Sequence, residues 1–329
     1  MRSRIPIGMR IRTCAGESFR CVPGLLDKRL VFVTGKGGVG KTTVAAALAI
    51  TAARSGRRTL VCEVARQERI ARSFGHPAVG PAETEIAPSL WAISIDPQSA
   101  LEEYLVDQLG SQRLASRLFS NKIFDYFTAA APGATELVTI GKAWEMAQPA
   151  RRRKQDSPYD IVIVDAPASG HGIGMLAAPR TYRDAVRVGT IARQAEKIDA
   201  FLTDREATGI VAVALPEEMP VNETADLEAR LAAELDLVVD RVVVNGVYPE
   251  RFSSEDAAAI AAVDPPDMVA TALRTATWQH ARARAQRSQL RRLRRLLSAP
   301  ATTLPFLFEE DTEREVFERL ADDLGRRRL

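Results

Sequence analysis

The sequence predicts an α/β fold: a doubly wound, mostly parallel sheet with helices on both faces and a helical subdomain beside it. Two observations carry this. Short apolar runs recur along the chain and are separated by segments of helical spacing, the alternation that places a crossover helix between parallel strands. The runs also lack polar alternation, as expected of strands covered on both faces.

Taken in order, the first run is Arg29-Leu-Val-Phe-Val-Thr34, which leads into a glycine-rich loop. A helix is expected from Val44 to Arg54, stopping at Gly56. Further strands are expected at Thr59–Glu63, Trp91–Ile95, Asp160–Asp165, Gly209–Leu215, Arg241–Asn245 and Thr302–Phe306. Residues 98–150 read as mostly helical with a break at Pro132-Gly133, and residues 266–297 as one long helix ending before Pro300. No repeat or low-complexity linker divides the chain. The expected organisation is a flexible N-terminal extension over 1–28 and one domain over 29–329. Its helical subdomain takes roughly 98–150 and parts of 171–205.

Composition excludes some classes. The chain has 329 residues, 46% apolar and 26% charged, with net charge +3, so nothing global pushes it toward nucleic acid. Cys14, Cys21 and Cys62 form no C-x-x-C pair, which argues against a zinc site or a disulfide framework and suits a reducing cytoplasm. No apolar run approaches the roughly 18 residues of a transmembrane segment.

The loop Gly35-Lys36-Gly37-Gly38-Val39-Gly40-Lys41-Thr42-Thr43 fits G-x-x-x-x-G-K-[S/T] between a strand and a helix. The residue types match the chemistry of a bound ATP. Glycines let backbone N–H groups turn toward phosphate oxygens, and the helix N-terminus adds a positive dipole end. Lys41 supplies charge to the β- and γ-phosphates, and Thr42 a hydroxyl to Mg²⁺. Ligands of open parallel sheets sit beyond the carboxyl ends of the strands. Asp165, at such an end, is expected as the acid that orients a magnesium-bound water; a turn-capping aspartate is the plainer reading.

The second lysine, Lys36, follows the first glycine, and the loop resembles the deviant form of this motif found in MinD, ParA, nitrogenase iron protein and ArsA. Asp165-Ala-Pro-Ala-Ser-Gly-His171 is similar to the D-T-A-P-T-G-H stretch of the ArsA family, which includes arsenite-pump ATPases and ATPases that deliver tail-anchored membrane proteins. Pro132 to Glu136 and Leu215 to Thr224 extend the resemblance in the right order. The alternatives are a MinD- or ParA-type positioning ATPase on membrane or DNA and a weakly hydrolysing nucleotide-binding subunit of a heterodimer; the resemblance first implies a Mg²⁺-dependent ATPase working as a nucleotide-sandwich dimer, either a homodimer or a heterodimer with a paralogue. In it Lys36 reaches the partner's phosphates, and a client or membrane protein is the recipient of the work. Gly170 takes the role of the switch II glycine that senses the γ-phosphate, with His171 holding the loop by a hydrogen bond. Asn245 takes the role of the asparagine that reads the adenine edge; a turn-forming Asn-Gly is the alternative.

Two departures matter. The switch I aspartate that positions the attacking water has no counterpart in Cys62-Glu63-Val64-Ala65-Arg66. Glu63 is the nearest acid, and two readings stay open for it: a substitute base or metal-water ligand, and a strand-end salt-bridge partner. The thiolates that bind arsenite also have no match. Arg282 to Arg295 carries seven arginines with Leu290, Leu293 and Leu297 at helical spacing, and reads as a solvated face over packed leucines.

Overall fold

A computed structural model describes residues 24–64, 68–77, 79–109, 133–149, 158–186, 189–263, 266–308 and 312–327. Its strands are Leu30–Gly35 (β1), Thr59–Val64 (β2), Thr84–Ala87 (β3), Leu90–Ile95 (β4), Ile161–Asp165 (β5), Thr208–Ala214 (β6), Arg241–Val247 (β7) and Ala301–Pro305 (β8). They form one sheet in the order β3-β4-β2-β5-β1-β6-β7-β8. Every pair is parallel except β3, which runs antiparallel beside β4. The helices are Lys41–Arg54 (α1), Arg69–Ser73 (α2), Pro97–Leu109 (α3), Ala134–Met146 (α4), Ser169–Ala185 (α5), Thr190–Thr203 (α6), Glu218–Leu235 (α7), Ser254–Ala261 (α8), Asp267–Leu296 (α9) and Glu313–Arg326 (α10).

The unbroken apolar runs end where both faces are covered. β1, β5 and β6 are buried at every position. On one face Val31, Val33, Ile161, Ile163, Val211 and Val213 meet α1, α2 and α10. On the other, Phe32, Val162, Val164, Ile210 and Ala212 meet α4 to α7 and α9. The alanine-rich inner side of α1 allows close approach to the sheet, and Phe317, Leu320 and Leu324 of α10 close over it. Burying each of those three side chains contributes about 1.5–3 kcal/mol. Thr312 caps α10 and exchanges a reciprocal bond with Glu315.

Several expectations shift. β3 was not expected: Thr84–Ala87 is short, polar at its start and hemmed by Pro81 and Pro88, so it lacks the apolar run of its neighbours. The packed chain begins before residue 29. Leu25–Asp27 forms a 3-10 turn, and buried Lys28 donates to the Thr208 carbonyl at 3.1 Å and pairs with Asp240. α1 starts at Lys41 rather than Val44, because the loop passes directly into the helix. In the region expected as mostly helical, α3 and α4 are described, and residues 110–132, including Pro132, lie outside the described residues. The four helices α3 to α6 line a common apolar cavity through Leu101, Leu137, Tyr182 and Ile198. The basic stretch of α9 does cover packed leucines, since Leu290 and Leu293 are buried. Among the described residues no helix is long and apolar enough to cross a membrane.

Candidate nucleotide site

β1 delivers the loop at the centre of the sheet, and glycine is required where the backbone turns. Gly35 adopts φ +148°, and a Cβ there would lie 2.4 Å from the Val213 carbonyl oxygen of β6. Gly40 adopts φ +92°, and a Cβ there would lie 2.3 Å from Nδ2 of Asn245. Gly37 and Gly38 face open space, so nothing in the described chain obstructs the crest of the loop. Val39, which follows them, is buried and anchors the loop.

The first helical bond of α1 runs from the Val44 N–H to the Gly40 carbonyl, and no side chain caps the helix. The N–H groups of Lys41, Thr42 and Thr43 therefore have no helical acceptor ahead of them and are available to an anion. Lys41 is half-buried at their edge; its Nζ donates to the Lys36 carbonyl at 3.1 Å. Burial holds its pKa below the usual lysine value, and the charge of Asp165 opposes that shift.

Across from the helix, Thr42 Oγ1 donates to Oδ2 of Asp165 at 2.6 Å. The other oxygen, Oδ1, is buried with no hydrogen-bond partner among the described residues. Burial pushes this carboxyl up to about 6; the Thr42 hydrogen bond opposes the shift and Glu63 adds to it. A buried carboxylate oxygen without a donor, beside a threonine hydroxyl, is a hard-oxygen set suited to Mg²⁺, which takes few protein ligands and fills the rest with water and phosphate.

Glu63, one residue before the end of β2, is in register with Asp165 and fully buried. Its carboxylate accepts the N–H groups of Ile70 at 3.0 Å and Ala71 at 3.4 Å, so it caps the first turn of α2. Burial raises its pKa. Among the described residues no cation pairs with it, and the nearby Arg69 is paired with Glu313. Ala65 and Arg66 lie outside the described residues.

Gly170 lies in the first turn of α5 with open space around it. Gly172, which the motif did not single out, is the constrained one: a Cβ there would lie 2.7 Å from Oγ1 of Thr34. That close approach fixes the start of α5 over the end of β1. His171 is exposed and has no hydrogen-bond partner among the described residues, so it does not hold the loop as expected. Asn245, in β7, donates through Nδ2 to the Val39 carbonyl at 3.1 Å and so buttresses the loop from behind. Its carbonyl oxygen makes no hydrogen bond among the described residues. Lys36 points away from the loop crest, with Nζ 2.6 Å from Oε1 of Glu223 and 2.9 Å from Sδ of Met219, both in α7.

The sequence reading missed an aromatic wall beyond the ends of β7 and β8. Tyr248 stacks on Phe306 at 4.6 Å, and Phe308 and exposed Trp278 meet Tyr248 edge-on. Gln286 of α9 fixes it by accepting from the Tyr248 N–H at 2.8 Å and donating to the Gly246 carbonyl at 3.1 Å. Tyr248, Trp278 and the Phe306–Phe308 pair lie in three separate stretches of sequence, with no spacing that would have joined them.

Unengaged backbone donors, a lysine and a carboxylate–hydroxyl pair converge where parallel strands end. A phosphate-bearing ligand with a hard cation uses all of them, and this defines the class as a P-loop nucleotide-binding ATPase. Comparison with known proteins narrows the class. The family model of the anion-transporting ATPases, ArsA, matches residues 28–195 and 184–263. ATPase BagA of Mycobacterium tuberculosis is 32% identical over 313 residues, covering 88% of this chain and 91% of its own. ATPase GET3B of Arabidopsis thaliana is 26% identical over 278 residues, 69% of this chain and 66% of its own. The arsenical pump-driving ATPase of Acidiphilium multivorum is 29% identical over 251 residues, 70% of this chain but only 41% of that longer protein. The chain belongs to the ArsA family of ATPases.

Proposed function

We propose that the chain binds ATP with Mg²⁺ at residues 35–43, hydrolyses it as a nucleotide-sandwich dimer, and uses the nucleotide state to act on a client or partner protein. The observation that carries the reading is the Thr42–Asp165 pair, with its second carboxylate oxygen unpartnered at the end of a P-loop helix. Bound there, Mg²⁺ would supply charge neutralisation to the phosphate oxygens. Thr42 and Asp165 hold that ion, directly or through its water. Lys41 and the N–H groups at the start of α1 bind the phosphates in a partly water-excluded site, where charge stabilisation is strongest. Asn245 keeps the loop in its glycine-only conformation and offers its remaining amide groups to the base, beside the wall of Tyr248 and Phe306. Gly170, with space around it, is free to move toward a phosphate as α5 shifts, while Gly172 keeps the hinge against Thr34. Lys36 is the residue that engages a second copy of the site.

A second reading has its own support. Glu63 is engaged by the backbone of α2 and is not free to act as a base, and no aspartate replaces it in the described part of that segment. This favours slow hydrolysis, as in a nucleotide-binding subunit that pairs with a more active paralogue.

Phosphate release by the purified chain with Mg²⁺ and ATP tests both. The first reading expects sustained turnover that Lys41→Ala reduces by about 10²–10³-fold, the scale of losing one preorganised charge donor. Turnover unchanged by Lys41→Ala sinks it. One stoichiometric ATP retained with no phosphate released favours the second.

A further inference from the structure

Lys36 and Glu223, far apart in sequence, form an ion pair beside the phosphate loop. Lys36 sits in the loop that binds phosphate, yet its ammonium is held by Glu223 at 2.6 Å and by the Met219 sulfur at 2.9 Å, away from the open crest formed by Gly37 and Gly38. Both side chains are partly accessible, 32% for Lys36 and 38% for Glu223, so the pair is close to solvent and breakable. Lys36 is also tied into the loop through its carbonyl, which accepts from Lys41. The other end of the pair lies on a firm element. α7 buries Pro220, Val221, Thr224 and Leu227 against the sheet, and Glu217 ahead of it pairs with Arg282 of α9 at 2.9 Å. Glu218 and Met219 are exposed at the amino end of α7, and among the described residues Lys36 is the cation paired with Glu223.

We propose that Glu223 is a positioning residue that holds Lys36 off the nucleotide, and that capture of Lys36 by phosphate frees the Glu223 carboxylate at the exposed amino end of α7. The Lys36 ammonium is turned to Glu223 and Met219, so meeting a phosphate oxygen over the loop crest draws it out of that contact. Phosphate carries more charge than one carboxylate and wins when it is presented at short range. Binding must then break the ion pair, so Glu223 raises the nucleotide concentration needed. In return α7 gains a free negative charge only in the nucleotide-engaged state, a local electrostatic change of the kind that a partner surface reads. The inference rests on the proposed function for the site of capture, a phosphate of this chain or of its dimer partner; the ion pair itself does not depend on it.

The test uses the full chain and trace acetylation by acetic anhydride, with Lys36 labelling read by mass spectrometry against exposed Lys197. Without nucleotide, Glu223→Gln is expected to raise Lys36 labelling by about 2- to 5-fold, the range that a solvent-accessible ion pair supplies. Mg²⁺ with a non-hydrolysable ATP analogue should protect Lys36 in both proteins. Half-protection should need about 2- to 5-fold less analogue in Glu223→Gln. Equal labelling without nucleotide overturns the ion pair. Raised labelling with an unchanged or higher half-protection concentration overturns the holding role, and is what a merely structural Glu223 would give. If equilibrium dialysis shows the analogue bound while Lys36 stays unprotected in both proteins, the sandwich-dimer reading and the capture step fail together. In that case the labelling difference without nucleotide still decides the pair.

Discussion

The two sides of the candidate site are built differently. On the phosphate side, Gly35 and Gly40 fix the loop, Asn245 props it, and the Thr42–Asp165 pair stands ready for a cation. On the switch side, Glu63 is absorbed into the cap of α2, His171 is unengaged, and Lys36 is held by Glu223. The first side is preorganised for binding, and the second must rearrange before it takes part. On the proposed reading binding and turnover separate, and substitutions on the two sides test that.

The largest expected contrast is Lys41→Ala against Glu63→Gln. Lys41→Ala should lower steady-state phosphate release by about 10²–10³-fold. Glu63→Gln keeps an acceptor for the Ile70 N–H, so a capping role predicts a change of less than about 3-fold in turnover. Its effect on stability is the balance of a weakened cap, roughly 0.5–2 kcal/mol, against relief of the burial that raises the Glu63 pKa. A loss on the Lys41→Ala scale would restore Glu63 as the catalytic base.

Next in size is the contrast within the loop. Gly35→Ala places a methyl against the Val213 carbonyl and should cost about 3 kcal/mol or more in urea melts. Gly37→Ala meets open space and should stay within about 0.5 kcal/mol. Equal costs would mean that the loop is not held against β6.

Asp165→Asn tests the same side by sign. The Asp165 carboxyl is raised to about 6 from 3.8, so the folded state binds its proton more tightly than the unfolded state does. The carboxylate then destabilises the nucleotide-free fold above that pKa, and the penalty fades as pH falls toward 4. Asp165→Asn should raise nucleotide-free stability by about 1–3 kcal/mol at pH 7.5 and leave it nearly unchanged at pH 4, while abolishing Mg²⁺-dependent turnover. Thermal melts in EDTA at the two pH values check it; destabilisation at pH 7.5 would contradict the assigned burial cost.

The central strands and the loop were legible in sequence because each is a local pattern. Runs such as Ile161–Asp165 need only neighbours that cover both faces, and glycines at Gly35 and Gly40 announce their own backbone demand. β3 was not legible, since its pairing with β4 comes from tertiary context rather than from Thr84–Ala87 themselves. Nor was the true constraint in Asp165 to Gly172. The motif marks Gly170, but the contact that forbids a side chain is at Gly172 and comes from Thr34, far away in sequence. The engagement of Glu63 and Lys36 was hidden for the same reason: a charge in sequence shows that a partner is needed, and the fold decides which partner it meets.

The most direct test of the central claim is an equilibrium titration of the wild-type chain and Lys41→Ala with ATP, in Mg²⁺ and in EDTA. One site per chain is expected in the wild type, markedly weaker in EDTA, and lost in Lys41→Ala. Binding that is indifferent to both magnesium and Lys41 would contradict the assignment of residues 35–43, Thr42 and Asp165 as the nucleotide site.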